Sequence, residues 1–268
     1  RWLLKSPPRH AGQAPAPFRA SFFNPARSRI LANFPSKIQN LSPNFPTFKF
    51  LFIECFSIMP VEKLFRDDPF PPLSQARHDG LLAMGGSLSP QRLSTAYRLG
   101  IFPWFSKGSP ILWWSPDPRF VLFPKELKVS KSMRQCQRKG TFRVTYNTAF
   151  QEVIQQCAQI PRTDQDSTWI LPEMQEAYLR LFQQNQAMSV EVWEGENLVG
   201  GLYGVKVGRV FSGESMFSKA SNSSKLALIE LVQTGTFDLI DCQIHSEHLA
   251  SLGAREIPRS EFLSYLPA

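Results

Sequence analysis

The alternation within "SVEVWEGENLVGGLYGVKVGRVFSGESMF", residues 189–217, is the strongest constraint on the fold. A period of two is typical of β-strands, and it breaks twice, near Gly195 and near Gly208. Breaks this short predict three antiparallel strands joined by tight turns. Because helical spacing precedes and follows these strands, the order of elements predicts an α+β fold of the acyltransferase kind, with a mixed sheet.

Capping residues predict where several other elements begin and end. Ser89 and Pro90 start a helix that stops at Gly100, and Ser130 starts another that stops at Gly140. Periodicity predicts helices in "TAFQEVIQQCAQI", "LPEMQEAYLRLFQQN" and "SSKLALIELVQTG", and strands in "FRVTYN", "FDLIDCQI" and around residues 120–123. We expect a small N-terminal domain over residues 59–125 and a mixed-sheet domain over residues 126–268.

The first 58 residues differ in composition from the rest. They hold eight Lys or Arg and one acid, Glu54, and so carry +7 of the formal net charge of +8. Three interpretations stay open: translated upstream sequence before Met59, a basic targeting segment, or a disordered arm. Residues 59–268 are nearly neutral, and any nucleic-acid surface on them must therefore be a local patch.

The cysteines predict the compartment. Cys55, Cys136, Cys157 and Cys242 are scattered without a close pair, which indicates a reducing compartment, and we expect the cytoplasm. No apolar run approaches the ~18 residues of a membrane span, so we expect no membrane association. Cys242, His245 and His248 have ligand-like spacing, but a fourth donor is missing, and we expect no metal.

Two strands carry polar side chains that could act in chemistry. In "VFSGESMF" the alternation places Ser212, Glu214 and Met216 on one face, and Phe211 and Phe217 on the other. The alternative is an edge strand with Glu214 in water.

In "LIDCQI", Asp241 and Gln243 lie two residues apart on one face, and Ile240 lies on the other. A carboxylate beside an amide could orient that amide toward a substrate amine. The alternative is a sheet face that contacts solvent.

A basic stripe and an aromatic segment favour RNA. Lys131, Arg134 and Arg138 lie three and four apart on the predicted helix, with Lys139 beside them, and such a stripe could follow phosphates. The segment "GIFPWFSKGSPILWWSPDPRF", residues 100–120, holds three of six tryptophans and could stack unpaired bases. The alternatives are a solvated helix face and a hydrophobic cluster beneath a loop.

Several long segments resemble one family. They are "GLLAMGGSLSPQRLSTAYRLGIFPWFSKGSPILWWSPDPR", "TWILPEM", "SVEVWEGENLVGGLYGV", "FSGESMFS" and "DCQI…HLASLGAREIPR". Together they resemble the bacterial leucyl/phenylalanyl-tRNA–protein transferase family from about residue 79 onward. The resemblance implies a GNAT-like domain after a small N-terminal domain, acting without cofactor or metal; we expect a monomer.

The implied reaction moves Leu or Phe, and sometimes Met, from an aminoacyl-tRNA to the N-terminal Arg or Lys of an acceptor protein. That product is marked for degradation under the N-end rule. Two other functions stay open. An N-acetyltransferase that uses acetyl-CoA would need a Q/R-x-x-G-x-G/A loop, which is absent from the sequence. A non-catalytic RNA-binding protein would have no use for an acid and an amide beside an apolar pocket.

The resemblance also implies roles for individual residues. Asp241 and Gln243 would form a relay acting on the acceptor amine, and Glu214 would hold the α-amino group of the transferred residue. Trp104 and Trp169 would lie near the terminal adenosine of the tRNA, and the basic helix would hold its acceptor stem. The apolar pocket for the transferred side chain would consist of Leu202, Phe211, Met216, Leu228 and Ile240.

Overall fold

The computed structural model describes residues 61–160 and 168–267. The segment 1–58, with its three interpretations, lies outside the described residues. The strands are β1 (Glu62–Leu64), β2 (Leu81–Gly85), β3 (Phe102–Pro103), β4 (Leu112–Trp114), β5 (Arg119–Leu122), β6 (Arg143–Tyr146), β7 (Ala187–Glu194), β8 (Asn197–Val207), β9 (Val210–Ser218), β10 (Leu239–Gln243) and β11 (Arg255–Ile257). The helices are α1 (Pro90–Arg98), α2 (Lys131–Lys139), α3 (Phe150–Gln159), α4 (Pro172–Gln183), α5 (Ser223–Gln233), α6 (Glu247–Ala250) and α7 (Arg259–Leu263).

The predicted meander is confirmed. β7, β8 and β9 pair antiparallel, and the turns between them fall where the alternation breaks. Gly195 and Gly208 both adopt a φ of +58°, a conformation that glycine reaches without the steric penalty of a side chain. The local chemistry of these turns therefore sets the register of the central sheet.

The predicted helix caps are also confirmed. Ser89 Oγ accepts a hydrogen bond from the backbone N–H of Arg92 at 3.2 Å, and Ser130 Oγ accepts one from Met133 at 3.2 Å. Each bond satisfies one of the N–H groups that a helix start leaves without a partner. Gly140 ends α2 with a φ of +66°.

Two mixed sheets confirm the α+β class. A four-stranded sheet has the order β1-β2-β4-β3, and a seven-stranded sheet has the order β11-β5-β10-β9-β8-β7-β6. In the larger sheet β9 and β10 run parallel, whereas the other neighbours are antiparallel. β5 lies before residue 125 in the chain but belongs to the larger sheet, so the domain boundary at residue 125 stays a prediction.

The aromatic segment is buried, and the prediction of an exposed stacking platform is wrong. It forms β3 and β4 and continues into β5. Its six Phe and Trp side chains are all buried, and Trp104, at 6%, is the most exposed of them. Two indole N–H groups bond to backbone carbonyls: Trp113 to Gly85 at 2.8 Å and Trp114 to Trp104 at 2.7 Å. The alternative interpretation, a hydrophobic cluster, fits because Phe102, Trp104, Phe105, Trp113 and Trp114 belong to one buried cluster and Phe120 belongs to another.

The glycines of β8 allow close approach of neighbouring chain segments. A Cβ built on Gly204 would lie 2.3 Å from the backbone oxygen of Ser212, and one on Gly200 would lie 2.4 Å from Ser223 Oγ. Larger residues would therefore force β8 away from β9 and from the start of α5. Within the described residues, no helix has both the length and the apolarity that crossing a membrane requires.

Candidate active site

A β-bulge displaces Glu214 from the regular ladder. Tyr203 pairs with Ser215 and Gly204 pairs with Gly213, which leaves Glu214 as the extra residue on β9. The bulge reverses the alternation beyond it. Phe211 and Met216 consequently share one hydrophobic cluster, and Phe217 belongs to another. The predicted grouping of Met216 with Glu214, and of Phe211 with Phe217, is therefore wrong.

The site lies where the parallel strands stop pairing. The β9–β10 register ends at Ser212 and Asp241, although β9 continues to Ser218. Gln243 follows with a φ of +68°, next to a register shift against β5. Just past the last pair, Gln243 Nε2 donates to Glu214 Oε1 at 2.9 Å. The two strands thus bring an amide and a carboxylate together at their point of separation.

Two tyrosines also bond to the Glu214 carboxylate. Tyr97 on α1 donates to Oε1 at 2.6 Å, and Tyr178 on α4 donates to Oε2 at 2.8 Å. Their hydroxyl oxygens lie 2.5 Å apart. Glu214 is fully buried in the interior of the larger sheet, so the alternative of an edge strand with this side chain in water is wrong. Two helices and one strand therefore hold this carboxylate in one orientation.

A buried ion pair holds Asp241. Arg119 on β5 donates from Nε to Oδ1 and from Nη2 to Oδ2, both at 2.7 Å, and each side chain is 1% exposed. Ser212 Oγ donates to Oδ2 at 2.7 Å, and the backbone N–H of Gln243 donates to Oδ1 at 3.0 Å. The carboxylate thus accepts four hydrogen bonds, and the alternative of a solvated sheet face is wrong.

Gln243 links the two carboxylates but leaves one atom unused. Its Nε2 contacts Ser212 Oγ at 3.3 Å as well as Glu214. Asp241 therefore reaches the amide through Ser212 and through the backbone, not by a direct side-chain bond. Gln243 Oε1 is buried and has no hydrogen-bond donor among the residues that the structure describes. A buried acceptor without a donor is unfavourable, and it is an available contact for a substrate N–H.

The five predicted pocket residues lie together. All are fully buried within one hydrophobic cluster; they are Leu202, Phe211, Met216, Leu228 and Ile240. Ile240 pairs with Phe211 across β9 and β10, and Leu202 pairs with Met216 across β8 and β9. The bulge explains this grouping, because it turns Met216 to the face that Phe211 and Ile240 already share.

The basic helix presents its cations to solvent. Lys131, Arg134, Arg138 and Lys139 are exposed, whereas Met133 on the same helix is buried. The two tryptophans assigned to the adenosine are buried, and Trp104 packs against Trp114 with ring centroids 5.7 Å apart.

The sequence alone does not predict the roles of Arg119, Tyr97 and Tyr178. The available signal for Arg119 was its position near the end of an aromatic segment in which Lys107 is the other cation. Tyr97 and Tyr178 lie on the buried faces of amphipathic helices, where a tyrosine looks like ordinary core. Their partners lie more than 30 positions away in the sequence, beyond any local pattern.

The predicted absence of metal ligands concerns Cys242, His245 and His248. Among residues 61–160 and 168–267, no cluster of three or more His, Cys, Asp or Glu side chains could hold a metal ion. His245 packs against Phe120 with ring centroids 4.9 Å apart.

Burial, together with the nearby Asp241 charge, raises the pKa of the Cys242 thiol well above its usual value.

Comparison with known proteins identifies close relatives. The family model described as leucyl/phenylalanyl-tRNA protein transferase matches residues 121–267, and the model of that protein's N-terminal domain matches residues 86–117. A leucyl/phenylalanyl-tRNA–protein transferase of Flavobacterium johnsoniae is 57% identical over 206 residues, which cover 76% of this chain and 97% of the relative. One of Syntrophobacter fumaroxidans is 56% identical over 211 residues, covering 78% and 90%.

Solved structures resemble the chain more distantly. A conserved protein of unknown function from Bacteroides thetaiotaomicron aligns with a TM-score of 0.40 and 13% identity, covering 68% of this chain and 87% of that one. A GCN5-related N-acetyltransferase from Kribbella flavida aligns with a TM-score of 0.30 and 10% identity, covering 59% and 56%.

Proposed function

The chain belongs to the leucyl/phenylalanyl-tRNA–protein transferase family, and from that premise we propose that its reaction takes place beside Glu214 and Gln243. The activity is that of an aminoacyltransferase, with an aminoacyl-tRNA as donor and a protein as acceptor. One observation carries the assignment of the site. The buried amide oxygen of Gln243 has no donor within residues 61–160 and 168–267, and the same side chain bonds to the buried Glu214 carboxylate.

Gln243 would bind the attacking amine. Its Oε1 can accept one N–H of the acceptor's α-amino group, while Nε2 stays bonded to Glu214. The nitrogen lone pair then remains available for attack. An α-amine has a pKa near ~8, so a substantial fraction is already neutral near pH 7–8 and no strong base is required.

Glu214 would hold the α-ammonium group of the amino acid being transferred. Tyr97 and Tyr178 bond to its two oxygens and fix their direction, because each hydroxyl donates to a different oxygen. A carboxylate favours a cationic amine in a site from which water is excluded. Discrimination between an amino acid and a simple acyl group would follow from this contact.

Asp241 would position Gln243 and would not accept the proton itself. Its oxygens already accept bonds from Arg119, Ser212 and the Gln243 backbone. This modifies the relay implied by the resemblance, because the Asp241 carboxylate has no acceptor position left for the substrate. Its contribution is to hold the end of β10 in the conformation that places the amide.

The reaction needs no covalent enzyme intermediate. The amine nitrogen forms a bond to the carbonyl carbon of the aminoacyl ester, and the bond from that carbon to the ribose oxygen breaks. The proton that leaves the amine is balanced by the proton that the ribose oxygen gains. Because the ester is already activated, orientation of the two reactants supplies most of the acceleration.

The remaining contacts concern the donor. The cluster around Met216 and Phe211 would receive a Leu or Phe side chain. Met would fit as well, because all three side chains are unbranched at Cβ. Arg134 and Arg138 on α2 would bind phosphates of the acceptor stem. Trp104 and Trp169 are buried, so their rings would have to become accessible before they could contact the terminal adenosine. We propose a protein with N-terminal Arg or Lys as the acceptor and cytoplasmic N-end-rule degradation as the outcome.

Glu214→Gln tests this assignment, and Glu191→Gln is its matched control. Glu191 is also a fully buried glutamate on the larger sheet, bonded to hydroxyls of Thr145, Thr148 and Ser189. Both substitutions disturb a similar environment, but only Glu214 contacts Gln243. We expect Glu214→Gln to lose transfer of Phe from charged tRNA to an Arg-initiated peptide, and Glu191→Gln to retain it per folded molecule. Equal activity in both variants would refute the assignment.

A further inference from the structure

A cavity lies against α1, away from the cluster around Glu214. Its volume is about 290 Å³, and its lining combines charged, polar and apolar side chains: Asp67, Pro69, Phe70, Gln91, Arg92, Thr95 and Leu99. Gln91, Thr95 and Leu99 repeat every four residues and so share one helix face. At 3.6 residues per turn, Tyr97 lies about 200° around the axis from Thr95. A ligand in this cavity would therefore not occupy the space beside Glu214.

Arg92 is the unusual member of this lining. Its side chain is 5% exposed, and Nη1 donates to the backbone oxygen of Asp68. Nε and Nη2 are buried and have no hydrogen-bond acceptor within the described part of the chain. Burial lowers the pKa of Arg92, and the nearby charges of Asp67 and Asp68 oppose this shift. The guanidinium is thus a buried cation with part of its donor edge unused.

Aromatic rings of Phe70 and Trp113 pack beside the Arg92 guanidinium, so its unused donors lie along its edge. The guanidinium carbon lies 3.6 Å from the centroid of the Phe70 ring, so the aromatic ring covers one flat face. The N–H groups point outward in the guanidinium plane, and this fork matches the two oxygens of a carboxylate. A buried charged donor without an acceptor is unfavourable, and an in-plane anion would relieve this cost.

The other walls restrict which anion fits. Asp67 faces the same cavity, and its negative charge disfavours a dianion such as phosphate. Pro69, Phe70 and Leu99 form an apolar wall, and the Leu99 side chain is 45% exposed. A singly charged head group on an apolar body satisfies both walls.

We propose that this cavity binds a small monocarboxylate with an apolar body, held by Arg92 through its carboxylate. This inference is independent of the proposed function, because the cavity and the Glu214 cluster lie on different faces of α1. Saturation-transfer NMR on the full chain tests it with three probes: 3-phenylpropionate, the neutral alcohol 3-phenylpropanol and inorganic phosphate.

We expect saturable binding of 3-phenylpropionate, at least about tenfold weaker binding of the alcohol, and no displacement by phosphate, since a hydrogen-bonded charge contributes roughly that factor. Arg92→Lys keeps the positive charge but removes the two-pronged guanidinium donor, and it should weaken binding of 3-phenylpropionate about tenfold. Because Arg92 is buried, thermal unfolding of this variant must show that it is folded.

Thr95→Trp provides a second route that leaves Arg92 in place. Thr95 is exposed and lines the cavity, so an indole should fill the space without disturbing the core. Gln151→Trp, at an exposed position of α3 outside the lining, is the matched control. We expect Thr95→Trp to abolish binding and Gln151→Trp to leave it unchanged. Equal binding of acid and alcohol, binding that survives Thr95→Trp, or no saturable binding by the wild-type chain would each overturn the proposal.

Discussion

Replacing either Arg119 or Asp241 alone should destabilise the fold. The same substitution should cost less stability when the partner side chain has already been replaced. Both side chains are 1% exposed, and breaking such a buried pair from one side typically costs about 3–5 kcal/mol. Total stabilities of domains are about 5–15 kcal/mol, so either single variant should lose a large fraction of the stability.

The structure indicates where each variant falls in that range. In Asp241→Asn the guanidinium keeps its bond to the Gly100 carbonyl and its contacts with the rings of Phe102 and Phe262, at 4.8 and 4.5 Å. We therefore expect Asp241→Asn to lower the free energy of unfolding by about 3 kcal/mol. In Arg119→Met the Asp241 carboxylate keeps only neutral donors, and we expect the free energy of unfolding to fall by about 4 kcal/mol. The double variant contains neither buried charge, so its loss should fall about 2 kcal/mol or more short of the sum.

Urea denaturation of the four proteins measures this coupling, provided that the m-values agree. Arg209 and Asp238 supply the control cycle, because they form the same two-point contact at 2.6 and 2.7 Å with side chains that are 61% and 53% exposed. Solvent screening should keep the coupling energy in that cycle at about 1 kcal/mol or less. Additive losses at Arg119 and Asp241 would refute the view that these two charges depend on each other for burial.

Three further predictions concern the site and its surroundings. Asp241→Asn should lose transfer while its affinity for tRNA in a filter-binding assay stays unchanged; normal transfer would contradict a positioning role. The double variant Arg134→Gln/Arg138→Gln should weaken tRNA binding at low salt. It should also reduce the slope of log K against log salt concentration by about one per lost phosphate contact. The control Lys63→Gln, at another exposed position, should change neither the affinity nor the slope. Because burial raises the pKa of the Cys242 thiol, little of its thiolate exists at pH 8. Iodoacetamide should therefore modify the half-buried Cys136 in the native protein and react with Cys242 only after unfolding. Rapid labelling of Cys242 in the native protein would contradict this.

Local chemistry made part of this fold predictable. Gly195 and Gly208 interrupt the alternation of the meander, and Ser89 and Ser130 cap helices through bonds to residues three positions on. Such signals involve neighbours in sequence, and the corresponding elements formed as expected.

The remaining features depend on residues far apart in the chain. The bulge at Glu214 arises from the register between β8 and β9, and no local pattern reports it. The same applies to the partner of Asp241, which lies 122 positions earlier, and to the burial of the aromatic segment, which depends on strands pairing around it. Pocket residues were found through family resemblance, since strict alternation separated Phe211 from Met216.

The most direct test of the central claim is a transfer assay read by mass spectrometry. The wild-type chain is mixed with Phe-charged tRNA and a peptide that begins with Arg, and in parallel with acetyl-CoA and the same peptide. We predict that the peptide gains one phenylalanine residue at its amino terminus in the first mixture and no added group in the second. An acetylated peptide, or an unchanged peptide beside intact Phe-tRNA, would contradict it.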